Sequence, residues 1–364
     1  MPLDEELAAW LRLSLAPGLT GEMVRRLLAA YGDPQRALNA GRAALARHVP
    51  ERIATALSKD TPAEAVEAAT RWLDDPANRM VSLAAPEYPR QLLQIADPPP
   101  LLYVKGRVEL LNQPALAIVG SRNATAQGIT NAESFATTLS DAGLAIVSGL
   151  ALGIDAAAHR GGLASAASSI AVVGTGLDTV YPARNRPLAH ELADRGALVS
   201  EFQLATPARA ENFPRRNRVI SGLSLGCLVV EAAVGSGSLI TARSALDQGR
   251  EVFAIPGSIH SPLAKGCHAL IKQGAKLVES AADVLEELRL PTRAAAGSRP
   301  PPAGELAARL PAEFLLALGF DPFDPDMLAA RTGMSAAEIS ALLTELEIEG
   351  TVAALPGGRF QRIR

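Results

Sequence analysis

Leu116-Ala-Ile-Val-Gly-Ser-Arg122 is the segment on which the predicted fold of this chain depends. Its residues up to Val119 are apolar without polar alternation, which is typical of a parallel strand that is buried on both faces. The residues after Arg122, up to about residue 139, have the pattern of a helix. We therefore expect Arg122 at the carboxyl end of a strand, beside a helix amino terminus, where open α/β sheets bind ligands.

Gly120, Ser121 and Arg122 form the first candidate binding segment. Amide groups at a helix amino terminus favour anions, and an arginine adds a planar donor that can hold a phosphate with two N–H groups. The alternative is a surface arginine in an ordinary loop between a strand and a helix. The segment alone leaves both interpretations open.

Strands and helices alternate from about residue 114 to residue 290, which predicts an α/β domain with a mostly parallel, Rossmann-like sheet. Apolar runs indicate strands at 116–119, 144–147, 170–173, 197–199, 227–230, 251–255 and 276–278. Two further short strands are predicted at 80–83 and 101–104. They lie in a segment, 76–110, that we interpret as a connector around the rigid Pro98-Pro99-Pro100.

The chain is predicted to contain three domains. Residues 1–75 have helical spacing of apolar residues, which Pro17-Gly-Leu-Thr20 interrupts in the manner of a helix-hairpin-helix (SAM-like) domain. The turn of such a hairpin can hold a phosphate, although packing is its more frequent role. Residues 76–290 form the Rossmann-like domain, and residues 291–304 are a flexible linker rich in Pro, Ala, Arg and Gly.

Residues 305–364 have the order helix, turn, helix and hairpin of a winged-helix domain. Ser335-Ala-Ala-Glu338 is a capping box that begins the second helix, and residues 351–362 are predicted to form the hairpin. The exposed side of the second helix carries mostly acidic residues, namely Glu338, Thr344, Glu345 and Glu347. Because carboxylates repel phosphates, we expect this helix to contact protein rather than the major groove of DNA.

Composition restricts the class of protein. The net charge is −3, so an anion site must be a local patch rather than a general basic field. Only two cysteines, Cys227 and Cys267, occur in 364 residues, which favours a reducing compartment over a disulfide framework. The acidic start lacks the basic region of a signal peptide, and no apolar run reaches the roughly 18 residues of a membrane span. We expect a soluble, cytoplasmic protein with no membrane partner.

Common catalytic and cofactor motifs are incomplete in this chain. After Gly120 the next glycine is Gly128, so the dinucleotide fingerprint fails, and no Walker A sequence occurs. Gly222-Leu-Ser-Leu-Gly226 has the letters of a hydrolase nucleophile elbow, but a helix precedes it and a strand follows it, which is the wrong order. Cys267-His268 supplies two potential metal ligands without further partners. We therefore predict no catalytic residue, no cofactor and no metal site.

The strongest local signal is the stretch 209–218, which reads Arg-Ala-Glu-Asn-Phe-Pro-Arg-Arg-Asn-Arg. Positive charge can follow the phosphates of a single strand while the ring of Phe213 stacks on a base. In the alternative, Arg215, Arg216 and Arg218 are solvated at the start of a helix and Phe213 packs into the core. Cations at a helix amino terminus oppose the helix dipole, which favours a functional reason for their presence.

A second candidate for phosphate binding is the turn after the predicted strand 227–230. Ser236, Gly237 and Ser238 can present N–H and hydroxyl donors to a phosphate at this position. A plain tight turn is the alternative.

Together these motifs resemble the DNA-processing protein A family (DprA, also called Smf) of bacterial natural transformation. The resemblance covers residues 80–290 densely. It is carried by Ala117-Ile-Val-Gly-Ser-Arg122, Ser148-Gly-Leu-Ala-Leu-Gly-Ile-Asp155 with Ala158-His159, Phe213-Pro-Arg-Arg-Asn-Arg218, Gly235-Ser-Gly-Ser-Leu239 with Thr241-Ala242, and Ile255-Pro-Gly257.

This resemblance implies a Rossmann-like domain that binds single-stranded DNA, forms a homodimer and helps to load the RecA recombinase. By position, Arg122 matches the family's phosphate-contacting arginine, and Phe213 and Arg216 match its aromatic and basic pocket residues. The chain departs from the family at His268, where an asparagine is expected. The candidate DNA-binding residues are Gly120, Ser121, Arg122, Phe213, Arg215, Arg216, Asn217, Arg218, Ser236, Gly237, Ser238 and Thr241.

Three functions are compatible with these observations. The first is a binding module that protects incoming single-stranded DNA and loads RecA in natural transformation. The second is an enzyme similar to nucleotide phosphoribohydrolases with a lysine decarboxylase-like fold. Such enzymes need a catalytic glutamate near a Gly-rich turn, and the matching turn 235–239 has no acid just after it. The third is a scaffold that recruits the recombinase, with DNA binding incidental.

Overall fold

The structure of the chain, a computed structural model, describes residues 3–290, 310 and 312–363. These residues divide into two compact units, of which the first falls within residues 1–123 and 132–292 and the second within residues 124–131 and 293–364. The predicted boundary after residue 75 lies inside the first unit, where one hydrophobic core includes both Trp10 and Val147. The predicted linker 291–304 lies outside the described residues, so the predicted domain limits stay predictions.

The first unit contains a nine-stranded sheet in its described residues, with the order β1-β2-β6-β5-β4-β3-β7-β8-β9. Its strands are β1 (Asn78–Ser82), β2 (Leu101–Gly106), β3 (Ala115–Val119), β4 (Ala145–Ser148), β5 (Ser169–Val172), β6 (Ala197–Ser200), β7 (Gly226–Val229), β8 (Glu251–Ala254) and β9 (Lys276–Leu277). β1 pairs antiparallel with β2, and β2 pairs antiparallel with β6. The remaining pairs are parallel.

The predicted Rossmann-like, mostly parallel sheet is confirmed, and one interpretation changes. The strands predicted at 80–83 and 101–104 form, but the segment 76–110 does not merely connect two domains. Through β2, which pairs with β6 from Tyr103↔Ser200 to Gly106↔Ala197, it extends one edge of the sheet. Sequence patterns within the segment could not show this, because pairing with β6 depends on contacts about 95 residues apart in the chain.

Helices cover the sheet and precede it. The helices that precede the sheet are α1 (Glu5–Ser14), α2 (Gly21–Tyr31), α3 (Pro34–Asn39), α4 (Arg42–Leu45), α5 (Glu51–Leu57) and α6 (Ala63–Leu73). Those that alternate with the strands are α7 (Ala126–Asp141), α8 (Ile154–Leu163), α9 (Arg186–Arg195), α10 (Asn212–Gly222), α11 (Ser238–Asp247), α12 (Lys265–Lys272) and α13 (Ala281–Glu287). The sequence patterns missed α9, in which only Ala189 and Leu192 are buried, because so narrow an apolar face produces little periodicity.

The strand order reverses between β3 and β7. From the central β3, the chain builds outward through β4, β5 and β6, and then crosses back to place β7, β8 and β9 on the other side. Residues Ala117, Ile118 and Val119 of β3 pair in parallel with Cys227, Leu228 and Val229 of β7. Such a reversal leaves a crevice outside the carboxyl ends of the two strands, which is where ligands bind in open α/β sheets.

The predicted helical hairpin forms between α1 and α2, and its second helix packs on the segment before β2. A Cβ atom on Gly21 would lie 2.5 Å from Pro98, so the glycine permits this close approach. The Gly21 amide donates to the Asp97 carboxylate, and Arg25 donates to the carbonyl oxygens of Leu93 and Ile95. These donors are used within the chain, and contact of the hairpin with DNA stays a prediction.

The C-terminal unit has the predicted winged-helix elements. They are α14 (Ala312–Leu318), α15 (Pro325–Thr332), α16 (Ala336–Ile348) and the hairpin of β10 (Val352–Leu355) and β11 (Arg359–Arg362). The capping box that begins α16 is present, since Ser335 and Glu338 each accept the other's amide N–H. The face of α16 with Glu338, Thr344, Glu345 and Glu347 is exposed as expected, and its contact with a protein stays a prediction.

None of the helices within residues 3–290 and 312–363 combines the length and the apolar character needed to cross a lipid bilayer.

The contact between α7 and α8 generates a stability prediction. Gly161→Ala in a helix would ordinarily stabilise by up to about 1 kcal/mol. Here the added Cβ would lie 2.3 Å from the Glu133 carbonyl oxygen and 2.8 Å from the Ala136 Cβ, so we expect the opposite sign. The free energy of unfolding should fall by about 1–3 kcal/mol in urea titrations followed by circular dichroism.

Gly237→Ala is the matched control, because Gly237 has a φ of −60° and no atom within 4 Å of the added Cβ. A Gly161→Ala variant as stable as the wild type would contradict the close packing of the two helices.

Candidate functional site

A cavity of about 800 Å³ lies at the carboxyl edge of the sheet, at the crevice between β3 and β7. Most of the candidate residues line it, namely Gly120, Ser121, Arg122, Phe213, Arg216, Asn217, Ser236, Gly237, Ser238 and Thr241. Arg215 and Arg218 are not among the lining residues. Segments that are far apart in the chain therefore meet where the strand order predicts a ligand site, and two of the predicted cations lie elsewhere.

The loop after β3 forms one wall of the cavity. A Cβ on Gly120 would lie 2.6 Å from the Ile154 side chain and 2.9 Å from the Glu231 carbonyl oxygen, so only glycine fits between α8 and the loop after β7. The Ser121 hydroxyl accepts the Asn123 amide at 3.1 Å, which bends the loop back on itself. Arg122 is exposed beside this bend, before α7 begins. Among residues 3–290 it forms no salt bridge.

An aromatic ring lies among cations inside the cavity. Phe213 is half-buried in the first turn of α10, with the guanidinium carbons of Arg122 and Arg216 at 5.8 and 5.9 Å from its ring centroid. The ring of Tyr181 is 5.5 Å away, centroid to centroid, and Tyr181 is 46% exposed. These distances are those of aromatic and cation–π contacts, and one side of the group remains open to the cavity.

Tyr181 is a site residue that sequence reasoning missed. It is one of only four tyrosines in the chain and lies directly before Pro182, in the loop after β5. A scarce aromatic residue in the loop after a predicted strand was the available signal. The segment carried no basic patch of the kind that drew attention to Phe213.

Arg216 is buried at the base of the cavity rather than exposed at its rim. Its side chain donates to the carbonyl oxygens of Gly149, at 2.7 Å, and Val172. Gly149 directly follows β4, and Val172 is the last residue of β5. Its Nε donates to the Asn217 Oδ1 at 3.1 Å. Burial lowers the pKa of Arg216 to about 10, with the nearby Asp155 charge acting in the opposite direction, so the group remains a cation at neutral pH.

Asp155 is buried near Arg216 and binds the turn after β4. Its Oδ2 accepts the amides of Gly149 and Ala151 at 3.1 and 3.3 Å. Burial raises the pKa of Asp155, whereas the Arg216 charge and these amides lower it. The side chain lines the cavity, and among the described residues no group of three or more potential metal ligands occurs.

Arg215 and Arg218 lie on a different face of α10 from Arg216, as their spacing on a helix requires. Both pair with the carboxylate of Glu201, whose side chain is 2% exposed, and Arg218 also pairs with Asp97. Burial raises the pKa of Glu201, and the two arginines counteract this shift. Glu201, directly after β6, and Asp97, in the segment before β2, therefore compensate two of the arginines of the stretch 209–218.

The turn before α11 forms the opposite wall. The hydroxyls of Ser236 and Ser238 are 2.8 Å apart, and the Ser238 amide is 3.4 Å from the Ser236 Oγ. Asn217 donates to the Gly237 carbonyl at 3.4 Å, which connects α10 to this turn. Thr241 is buried and forms part of the wall. One of these two hydroxyls donates to the other, and the amides of Ser236, Leu239 and Ile240 donate to backbone carbonyls. Phosphate binding by this turn stays a prediction.

The other motifs of the sequence, at Ser224 and at Cys267-His268, contact neighbouring parts of the fold. Ser224 is fully buried and donates to the Ile220 carbonyl at 2.9 Å, which leaves its hydroxyl inside the core. His268 lies with its Nε2 3.0 Å from the Gly257 carbonyl oxygen, so the residue that departs from the family pattern binds the loop 255–257. Cys267 is buried beneath it, and burial raises the pKa of its thiol to about 11.

His159 is a buried histidine near the base of the cavity. Its Nδ1 is 2.8 Å from the Ser169 Oγ, and its Nε2 accepts the Leu150 amide at 3.3 Å. Burial lowers the pKa of His159 to about 3, and the charges of Arg216 and Arg160 add to this shift. The imidazole is therefore neutral throughout the physiological range.

Comparison with known proteins identifies the family. The family model for DNA recombination-mediator protein A matches residues 79–289, which is more than half of the chain. The chain belongs to the DprA/Smf family. The model for the DprA winged helix domain matches residues 297–358. Protein Smf of Escherichia coli K12 is 45% identical over 309 residues, which are 83% of this chain and 82% of that protein.

Solved structures of this DprA/Smf family share the fold. The X-ray structure of DNA processing protein A from Streptococcus pneumoniae matches with a TM-score of 0.67 and 37% identity, over 79% of this chain and 99% of that one. A structure of DNA processing protein A from Helicobacter pylori, described for its single-stranded DNA binding mode, has a TM-score of 0.53 and 27% identity. It covers 58% of this chain and 95% of the other.

The contrast between two candidate arginines generates a prediction on stability. Arg216→Ala would leave the Gly149 and Val172 carbonyls without a donor and Asp155 buried without its cation. We expect a loss of about 3 kcal/mol or more in the free energy of unfolding. Arg122→Ala removes an exposed side chain and should cost less than about 0.5 kcal/mol. Urea unfolding of both full-length variants measures the difference, and equal losses would contradict the buried role of Arg216.

His159 generates a prediction on pH dependence. Between its unfolded pKa of about 6.5 and its folded pKa of about 3, the unfolded chain binds a proton at this residue and the folded chain does not. This contribution to stability is therefore lost as the pH falls from about 6.5 to 3, by about 1.4 kcal/mol per pH unit. His159→Gln removes the titration. Its unfolding free energy should fall less steeply with decreasing pH than that of the wild type, and parallel curves would show that His159 is not held neutral.

Proposed function

We propose that this chain binds single-stranded DNA in the cavity at the carboxyl edge of its sheet, as a DNA-processing protein of natural transformation. The observation that carries the proposal is the half-buried ring of Phe213, which lies against Tyr181 and has the guanidinium carbons of Arg122 and Arg216 at 5.8 and 5.9 Å from its centroid. An unpaired base can stack on such rings, whereas a base within a duplex is already stacked on its neighbours. The H. pylori relative described for single-stranded DNA binding supports this choice of ligand.

The phosphate contacts follow from the charges that remain available. Arg122 is exposed at one wall of the cavity, and at the other the Ser236 and Ser238 hydroxyls bond each other, which leaves one hydroxyl proton as an uncharged donor. Arg215 and Arg218 are compensated by Glu201 and Asp97, so they contribute less than their charges suggest. Binding by one copy of the chain therefore depends on stacking and hydrogen bonds more than on a track of cations.

A titration with labelled single-stranded and duplex oligonucleotides across salt concentrations tests this proposal. We expect the single strand to bind more tightly. Arg122→Ala should weaken its binding and should reduce the slope of log affinity against log salt by about 0.7, the value for one phosphate contact on a single strand. Arg107→Ala is the matched control. Arg107 follows β2, whose last residue, Gly106, pairs with the first residue of β6, so it lies at the opposite edge of the sheet from the cavity. Its side chain forms a salt bridge with Glu109.

Equal affinity for both forms of DNA, or an Arg122→Ala variant with unchanged affinity and slope, would contradict the proposed site.

The finer parts of the proposal are that the bound strand is protected, that the protein acts as a homodimer and that it transfers the strand to RecA. Membership of the DprA/Smf family supports them, and the acidic exposed face of α16 offers a surface suited to protein rather than DNA. Co-precipitation of purified RecA with the wild type and with the Arg122→Ala variant separates RecA loading from simple recruitment. RecA binding that survives the loss of DNA binding would favour recruitment. The enzymatic alternative would be supported by release of a free base from a nucleoside monophosphate.

A further inference from the structure

The segment Ser148–Asp155, together with His159, contains a turn whose backbone polar groups are all bonded to side chains. The turn comprises Gly149, Leu150 and Ala151, directly after β4. Its three amides are accepted by Asp155, His159 and Asp155 respectively. Its three carbonyls receive hydrogen bonds from Arg216, Asn185 and Asn185 respectively. Every backbone polar group of the turn is therefore held by one of four side chains, each buried.

The conformation of the turn requires such support. Leu150 has a φ of 59°, in the left-handed region that a leucine rarely adopts, and its side chain is buried. A non-glycine residue remains in this region only where the surrounding structure determines it. The bond from the Leu150 amide to His159, with Asn185 on its carbonyl, supplies that constraint.

The orientation of His159 is set by a chain of hydrogen bonds to β4. The Ser169 hydroxyl donates to the Ile146 carbonyl at 2.8 Å, so its oxygen accepts from the Nδ1–H of His159. This assignment places the proton on Nδ1 and leaves the lone pair of Nε2 for the Leu150 amide. The imidazole thus connects the turn to β4 through hydrogen bonds.

The Gly149–Ala151 turn also determines where Arg216 lies. The Gly149 carbonyl accepts the Arg216 Nη1 at 2.7 Å, and a Cβ on Gly149 would lie only 2.3 Å from the Arg216 Nη2. A displaced turn would either lose this bond or press against the guanidinium. Arg216 lies 5.9 Å from the Phe213 ring, so its position also supports the aromatic group of the cavity.

We propose that His159 is a positioning residue for single-stranded DNA binding, which holds the Gly149–Ala151 turn so that Arg216 is correctly placed beneath Phe213. This inference rests on the proposed function. His159 does not contact DNA in this arrangement, since it is fully buried. Its effect on affinity passes through the Arg216 guanidinium, which the Gly149 carbonyl accepts, and not through the Arg122 guanidinium.

Oligonucleotide affinities of a set of full-length variants test the inference. His159→Leu replaces the imidazole by an apolar side chain and should weaken single-stranded DNA binding about tenfold. His159→Gln retains an acceptor for the Leu150 amide and should restore most of the affinity. Ser169→Ala, which leaves the Nδ1–H without its acceptor, is a milder variant with an expected loss of about threefold. His190→Leu, on the exposed side of α9, is the matched control.

A double-mutant cycle separates positioning from general destabilisation. In the background of Arg216→Lys, which keeps the charge but loses the planar donor, His159→Leu should reduce affinity by less than twofold further. In the background of Arg122→Ala the full tenfold loss should remain. Additive losses in both backgrounds, or equal affinities of the Gln and Leu variants, would overturn the inference. If the wild type itself fails to bind single strands, the proposed function fails instead, so the two outcomes are distinguishable.

Should His159→Leu not fold, Ser169→Ala carries the same cycle. Its loss must disappear in the Arg216→Lys background and persist in the Arg122→Ala background, and any other pattern overturns the inference.

Discussion

One buried guanidinium organises the carboxyl edge of this sheet. Arg216 reaches from α10 to the carbonyl oxygens at the ends of β4 and β5, with Asp155 nearby as its countercharge. A buried cation is tolerated only where donors and acceptors match, because leaving water costs several kcal/mol or more. The turn after β4, the first turn of α10 and the ring of Phe213 are all placed relative to this group. The cavity is consequently shaped by a side chain that is itself almost inaccessible.

The distribution of charge explains how a slightly acidic chain can present an anion site. Of the arginines in the stretch 209–218, Arg215 and Arg218 meet Glu201 and Asp97, and Arg216 meets backbone carbonyls. Exposed positive charge within the cavity is left mainly to Arg122. A site built in this way relies on rings and fixed donors, which are less sensitive to salt than a row of cations.

Much of the architecture follows from local patterns. Continuous apolar runs such as 116–119 and 227–230 indicate buried parallel strands, and their alternation with helices indicates a Rossmann-like sheet. The structure contains these strands and this sheet. The capping box at Ser335 and the hairpin after it were also found from spacing alone. The local pattern did not predict α9, because the buried face of this helix is narrow. It did not predict the pairing of β2 with β6 either, because strand pairing depends on residues far apart in the chain.

The candidate site shows the same division. The sequence by itself determined which residue types were unusual, a glycine and an arginine after a buried strand and a phenylalanine in a basic stretch, because these depend on neighbours in the chain. Only the tertiary structure decided that Arg216 is buried while Arg122 is exposed, that Glu201 compensates Arg215 and Arg218, and that Tyr181 joins Phe213. The physical reason is that burial, countercharge and ring contacts arise between segments far apart in the chain, where no local periodicity records them.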